Sequence, residues 1–250
     1  NGDSSTLNME NGGTWTLGGD DTIGTFNSSG LLNGGGILTA TTYNLSNGAI
    51  TATGANLGTG TLNSGPGTVT LNGDAAAETT SINSGTLNLN GQLTGVTDLN
   101  IANGGTLVSG SADRVNDSAV ANITTGGTWT LDGDDAITTF NSGGLLNGNG
   151  TLTALTYNLT DGAVTEALAD LGSGTLNSDG NVTLNGDAAA ETANVNSGFL
   201  SLNGQLTGVT DLNIANGATL ANGSAERIND AAVVENSGAL TLNGEENITA

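Results

Sequence analysis

The carboxylates are the residues of this protein best placed to do chemistry, and they recur in one register. Asp20 and Asp21 follow Gly18-Gly19, Asp74 follows Asn72-Gly73, and Asp134 and Asp135 follow Gly133. Asp187 follows Gly186, and Glu245 and Glu246 follow Gly244. Each acid comes just after a short strand-like phrase, so a fold that stacks those phrases lines the acids along one edge. Stacked carboxylates repel unless they are spaced, solvated or bridged by a hard cation such as Ca²⁺, which prefers oxygen ligands. These eight residues are therefore the metal candidates, with Ca²⁺ as the only cofactor to consider. The simpler expectation is a solvated acidic edge, and the calcium nonapeptide G-G-x-G-x-D does not occur.

The only cations are Arg114 and Arg227. Arg114 lies beside Asp113 and Asp117 in residues 111–123, and Arg227 beside Glu226 and Asp230 in residues 224–235. Each segment is expected to lengthen its coil as a helical turn or a protruding loop. A local charge pair would fix it. The alternative is a recognition loop carrying Arg114, Asp117, Arg227 and Asp230. With no His, Cys or Lys, the means of general acid–base or nucleophilic catalysis are thin. An active site is also unique, whereas nearly every notable residue here has a twin. No catalytic residue and no enzyme activity are expected; a polysaccharide-active enzyme is a minor alternative. Outward Thr and Asn at Thr14/Thr16, Thr68/Thr70, Thr86/Asn88 and Thr128/Thr130 make ice binding another, although Phe199 and Ser201 interrupt the pattern.

The formal net charge is −22, which disfavours nucleic acid and anionic membrane surfaces as partners. Absence of Cys rules out a disulfide frame and Cys-ligated zinc. No stretch approaches the roughly 20 apolar residues of a membrane span, so membrane insertion is not expected. The sequence shows no signal peptide, and it starts and stops inside repeat-like sequence. It therefore reads as a fragment or processed segment of something longer.

The elements that must position these residues follow from one phrase. Residues 86–90 read TLNLN, alternating apolar and polar, and Gly91 closes them with an Asn-Gly turn signal. Variants stand at 14–18 (TWTLG), 68–72 (TVTLN), 128–132 (TWTLD) and 239–243 (ALTLN). Between them lies a second apolar strand, such as 98–102 (DLNIA), so each unit should be strand, corner, strand, corner. Starts at Thr68, Thr86, Thr106 and Thr128 give steps of 18, 20 and 22 residues. A longer repeat overlies this one. Trp15 and Trp129 are 114 residues apart, Arg114 and Arg227 are 113 apart, and 90–104 returns unchanged as 203–217. One residue is lost near Pro66. An antiparallel meander would need no composite period of this length, whereas a solenoid requires like residues to fall above like. The expected fold is all-β: a right-handed parallel β-helix of about 18–22 residues per coil, in tandem long repeats of about 114 residues. The divisions are 1–11, the end of a preceding coil; 12–125 and 126–237, the two long repeats; and 238–250, a truncated third. About 13 coils at ~4.8 Å give a rod of roughly 60 Å. Trp15/Leu17, Val69/Leu71, Leu87/Leu89, Trp129/Leu131 and Leu240/Leu242 should point inward.

The T-L-x-L-x-G phrase and the recurring x-L-N-x-x-N-G-G resemble the secreted bacterial β-helix passengers: the passenger repeats of autotransporter adhesins and the haemagglutinin-like exoproteins. The resemblance covers nearly the whole sequence, and its motifs encode a coil rather than a site. It implies export, display at a Gram-negative cell surface, and work as a structural or adhesive rod. Partners would be copies of the same fibre or cell-surface and matrix glycans. A self-assembling filament, stacking coil end on coil end, is the alternative. No family active site or secretion domain accompanies the motifs.

Overall fold

The computed structural model describes residues 4–248, so positions 1–3 and 249–250 of the expected first and last divisions lie outside it. Among the described residues every strand pairing is parallel, and the strands join one continuous sheet of 26. The described residues form a parallel β-helix of about 12 turns, with about 19 residues per turn and no helix among them. The coil is the structural unit. No break in the sheet marks off the 114-residue blocks: Val120–Ile123 pairs with Asp135–Ser142 across the expected junction at 125/126. The long repeat survives as a rhythm of six coils. From Asn8 to Asn122, equivalent positions in successive coils are separated by 19, 17, 19, 18, 19 and 22 residues. The second block repeats this as 19, 17, 19, 17, 19 and 22 residues. The coil that differs is the one that contains Pro66: Asn63 to Ser81 is 18 residues, whereas Asn177 to Asn194 is 17.

Each coil has three strand columns rather than the two expected. The first runs from Thr6–Met9 through Asp98–Ile101 to Val233–Asn236. The second runs from Thr14–Leu17 through Gly85–Leu89 to Ala239–Thr241 and carries the TLNLN phrase. The third is thin. It consists of the leading ends of Asp21–Ser28 and Ile37–Leu45, the two-residue strand Asn56–Leu57, and then single bridges through Leu57, Ala75, Leu93 and Val115. One or two paired residues per coil leave no alternation to read, which is why sequence periodicity missed this column.

The residues inside are those whose side chains point to the axis in each column, because a parallel sheet buried on one face needs an apolar inner surface. Trp129, Phe140, Tyr157, Leu87, Leu89, Leu71 and Val69 are buried. Leu242, expected inside, is 40% exposed in the last coil. The two Trp fit by layering. Trp129 leans on Phe140 with ring centroids 6.3 Å apart, as Trp15 does on Phe26 at 5.9 Å. Tyr157 follows in the next coil, and its hydroxyl donates to the Leu152 carbonyl at 2.9 Å and accepts from the Ala154 N–H at 2.8 Å. Burial pushes the phenol up to about 12, so it stays neutral and ties its own corner. Coils meet so closely at one corner that a side chain does not fit. A Cβ at Gly91 would lie 2.2 Å from the Gly73 carbonyl oxygen below it.

Residues 111–123 form no helix. Val115 bridges Leu93, and Val120–Ile123 is an ordinary strand of the first column. What protrudes is the short turn between them, which makes this coil one of the two longest.

Candidate functional surface

The first column carries two outward rows. Where its strands read Thr-x-Asn, the Thr and the Asn share the outer face, since neighbours along a strand alternate. The Thr row holds Thr25, Thr42, Thr61 and Thr79, then Asp98 and Val120, then Thr139, Thr156, Thr175 and Thr192. The Asn row is a hydrogen-bonded ladder in which each Nδ2 donates to the Oδ1 one coil back. One run joins Asn8, Asn27, Asn44 and Asn63 at 2.7–3.0 Å. The other joins Asn100, Asn122, Asn141, Asn158, Asn177, Asn194 and Asn213 at 2.8–3.1 Å. Ser81 separates them, because its hydroxyl is too short to span the gap. The result is a ribbon of hydroxyls and amides in two runs, parted by Asp98 and Val120, whose spacing is that of the strands. Phe199 and Ser201 lie in the second column and leave it untouched. The Thr and Asn pairs expected to form such an array, from Thr14/Thr16 to Thr128/Thr130, stand in the second column. There the outer positions are mixed: Thr128 gives way to Leu145 and Val164. The signal for the true array was the Asn of FNS, YNL, LNS and DLNI, recurring at intervals of 17–22 residues.

The acids do share an edge. Backbone and side-chain bonds connect one corner position through Asp74, Gln92, Asp113 and Asp134, and again through Thr151, Asp170, Asp187, Gln205, Glu226 and Glu245. Asp113 and Glu226, expected as partners of the two Arg residues, and Asp170 are members that the acidic register in the sequence does not include. Carboxylates of this edge are put to structural use. Asp20 Oδ1 accepts the Ile37 N–H at 2.9 Å, Asp74 the Gln92 N–H at 2.9 Å, Asp134 the Thr151 N–H at 2.8 Å and Asp187 the Gln205 N–H at 2.8 Å. Each thus clips its coil to the next. Among the described residues no three His, Cys, Asp or Glu stand close enough to hold a metal ion.

Asp21, Asp135 and Glu246 lie one residue further on, where the third column turns inward. Asp135 is only 3% exposed. The row below it runs Leu57, Ala75, Leu93, Val115, and the bridges stop between Val115 and Asp135. The carboxylate replaces the missing backbone acceptor: Oδ2 takes the N–H groups of Arg114 and Val115, both at 3.2 Å, and Oδ1 takes that of Ala136 at 3.0 Å. Burial outweighs these bonds and, with the nearby Asp113 charge, raises its pKa from 3.8 to about 7. Glu246 makes the same clasp on Arg227 and Ile228 at 2.9–3.2 Å. Asp21 is exposed and accepts from its neighbour Thr22, at 2.8 Å.

The expected charge pairs are not formed among the described residues. Arg114 Nη1 reaches the Gly91 carbonyl at 3.5 Å, and Arg227 Nε donates to Ser224 Oγ at 2.9 Å. Arg114 thus meets the backbone of the preceding coil, and Arg227 a hydroxyl of its own turn, instead of their acidic sequence neighbours. Asp117 is exposed and lines a shallow groove of about 410 Å³ with Gln92, Thr94 and Asn116. Arg227 and Asp230 line its twin of about 300 Å³.

No helix of the described residues is long and apolar enough to cross a membrane. Comparison with family models, with curated proteins and with solved structures returns no match.

Proposed function

We propose that the protein is a structural and adhesive rod, displayed outside a Gram-negative cell, that holds neutral glycan through its Thr–Asn ribbon. One observation carries this reading: the ribbon repeats the same hydroxyl and amide pair through two runs of four coils, Thr6/Asn8 to Thr61/Asn63 and Thr139/Asn141 to Thr192/Asn194, with the amides of each run already fixed to one another. Sugar hydroxyls are recognised by such neutral donors and acceptors. A rigid array costs little side-chain entropy on binding. Each contact is weak, and strength comes from many made at once. The net charge of −22 argues for an uncharged rather than an acidic polysaccharide. The reading includes no catalysis, and loss of polysaccharide viscosity on incubation would contradict that part.

The test is retention of the protein on insoluble neutral polysaccharides, compared with a variant carrying Thr139→Val, Thr156→Val and Thr175→Val. The three changes remove hydroxyls from the ribbon while leaving the Asn ladder and β-propensity in place. The expected result is retention that the triple variant loses without a fall in melting temperature. Failure of the wild type to be retained on any of them, or equal retention of both, would overturn the reading. Thermal hysteresis lost in the triple variant would assign the ribbon to ice instead.

A further inference from the structure

Asn103 and Asn216 lie in identical heptapeptides, DLNIANG, at 98–104 and 211–217. Both are exposed and both are followed by glycine in the left-handed region, with φ of 77° at Gly104 and 82° at Gly217. They differ in what the next coil lays over them. The Gly104 N–H donates to the Gly126 carbonyl at 3.0 Å. Gly126 also covers the Asn103 amide: a Cβ there would meet Asn103 Oδ1 at 2.6 Å and Cγ at 2.9 Å. The coil above Asn216 has a corner two residues shorter. Ile123 leads to Thr128 through four residues, whereas the matching Asn236 leads to Ala239 through Ser237 and Gly238 alone. Thr125 and Gly126 have no counterpart. The Gly217 N–H therefore has no partner among the described residues, and Gly238 lies over the Ala215 and Ala218 carbonyls rather than over Asn216.

We propose that Asn216 is a site of spontaneous deamidation from which its twin Asn103 is protected by the coil above. Hydroxide removes the Gly217 amide proton, and that nitrogen attacks Asn216 Cγ. The new N–C bond forms as the bond from Cγ to Nδ2 breaks, and ammonia leaves. Water then opens the cyclic imide at either carbonyl to give aspartate or isoaspartate. A glycine N–H that is bonded and covered must first be released, whereas that of Gly217 is open to solvent. The reaction adds a negative charge to the rod at that corner. The same short corner, Ser29-Gly30, follows Asn11, whose Gly12 N–H is likewise without a partner among the described residues, so Asn11 belongs with Asn216.

The test is incubation of the folded protein in mildly alkaline buffer, with peptide mapping by mass spectrometry at intervals. Asn216 is expected to convert roughly tenfold faster than Asn103. That ratio corresponds to about 1.4 kcal/mol, the upper range of a net hydrogen bond. In denaturant the two sites should react alike, since their flanking residues are the same from Asp98 and Asp211 up to the glycine. A variant with Thr-Gly inserted after Ser237 should slow Asn216 towards the rate of Asn103. Equal rates in the folded protein, or a difference that persists in denaturant, would overturn the proposal.

Discussion

Trp129 Nε1 donates to Ser109 Oγ at 2.9 Å, and both residues are fully buried. Ser109 occupies a row that holds Leu71, Leu89 and Leu131 in other coils. The small side chain makes room for an indole reaching across from the next coil, and its hydroxyl satisfies the one polar atom that indole brings inside. Ser109→Ala leaves the N–H without a partner and should cost about 1–3 kcal/mol in chemical denaturation. An unchanged midpoint would mean that the bond contributes nothing.

The Asn ladder should behave as a cooperative seam. Asn158→Ala removes a donor to Asn141 and an acceptor from Asn177, for a loss of about 1–3 kcal/mol. Asn158→Asp should be worse at neutral pH, because it sets a carboxylate against the Asn141 oxygen, and should recover in acid. Ser81 registers with Asn63 and Asn100, so Ser81→Asn should join the two runs and raise the melting temperature. A lower melting temperature would show that the break is required.

Asp135 makes stability depend on pH. Its carboxyl ionises at about 7 in the fold against 3.8 ordinarily, chiefly because burial penalises the charge. The fold thus favours the protonated form. The stability this contributes is complete below about pH 4, declines as pH rises towards 7, and is gone above that, a swing on the order of a few kcal/mol. Asp135→Asn keeps an acceptor for the Arg114 and Val115 N–H groups without the charge. Its stability relative to wild type should rise between pH 4 and 7 and then level off. A difference that does not vary with pH would contradict the burial argument.

Gly91→Ala should be costly although the position is a corner. Its Cβ would stand 2.2 Å from the Gly73 oxygen, which belongs to backbone and cannot swing away, so the coils must part. Overpacking of this kind costs about 1–3 kcal/mol. Gly104→Ala is the control for space: no atom lies within 4 Å of its Cβ, and only its φ of 77° opposes the change. Guanidinium midpoints should fall further for Gly91→Ala.

The coil and its parallel stacking were legible because Thr-Leu-Asn phrases recur at a composite period with Asn-Gly at the corners. The acidic register was legible for the same reason. Its role was not, since a carboxylate reads the same in sequence whether it faces water, as Asp21 does, or clasps two N–H groups inside, as Asp135 does. The third column was invisible because one bridge per coil has no period. The Asn ladder needed the register: Asn141 and Asn158 meet only once the length of the coil between them is known.

The most direct test of coil-over-coil stacking uses the absence of native cysteine. In the parallel register Thr156 lies beside Thr175, and Asn158 beside Asn177. Double variants Thr156→Cys with Thr175→Cys, and Asn158→Cys with Asn177→Cys, should both be closed by a short thiol cross-linker. The mixed pair Thr156→Cys with Asn177→Cys should close far more slowly. Rapid closure of the mixed pair, with the matched pairs left open, would show strands running in opposite directions and would contradict the solenoid.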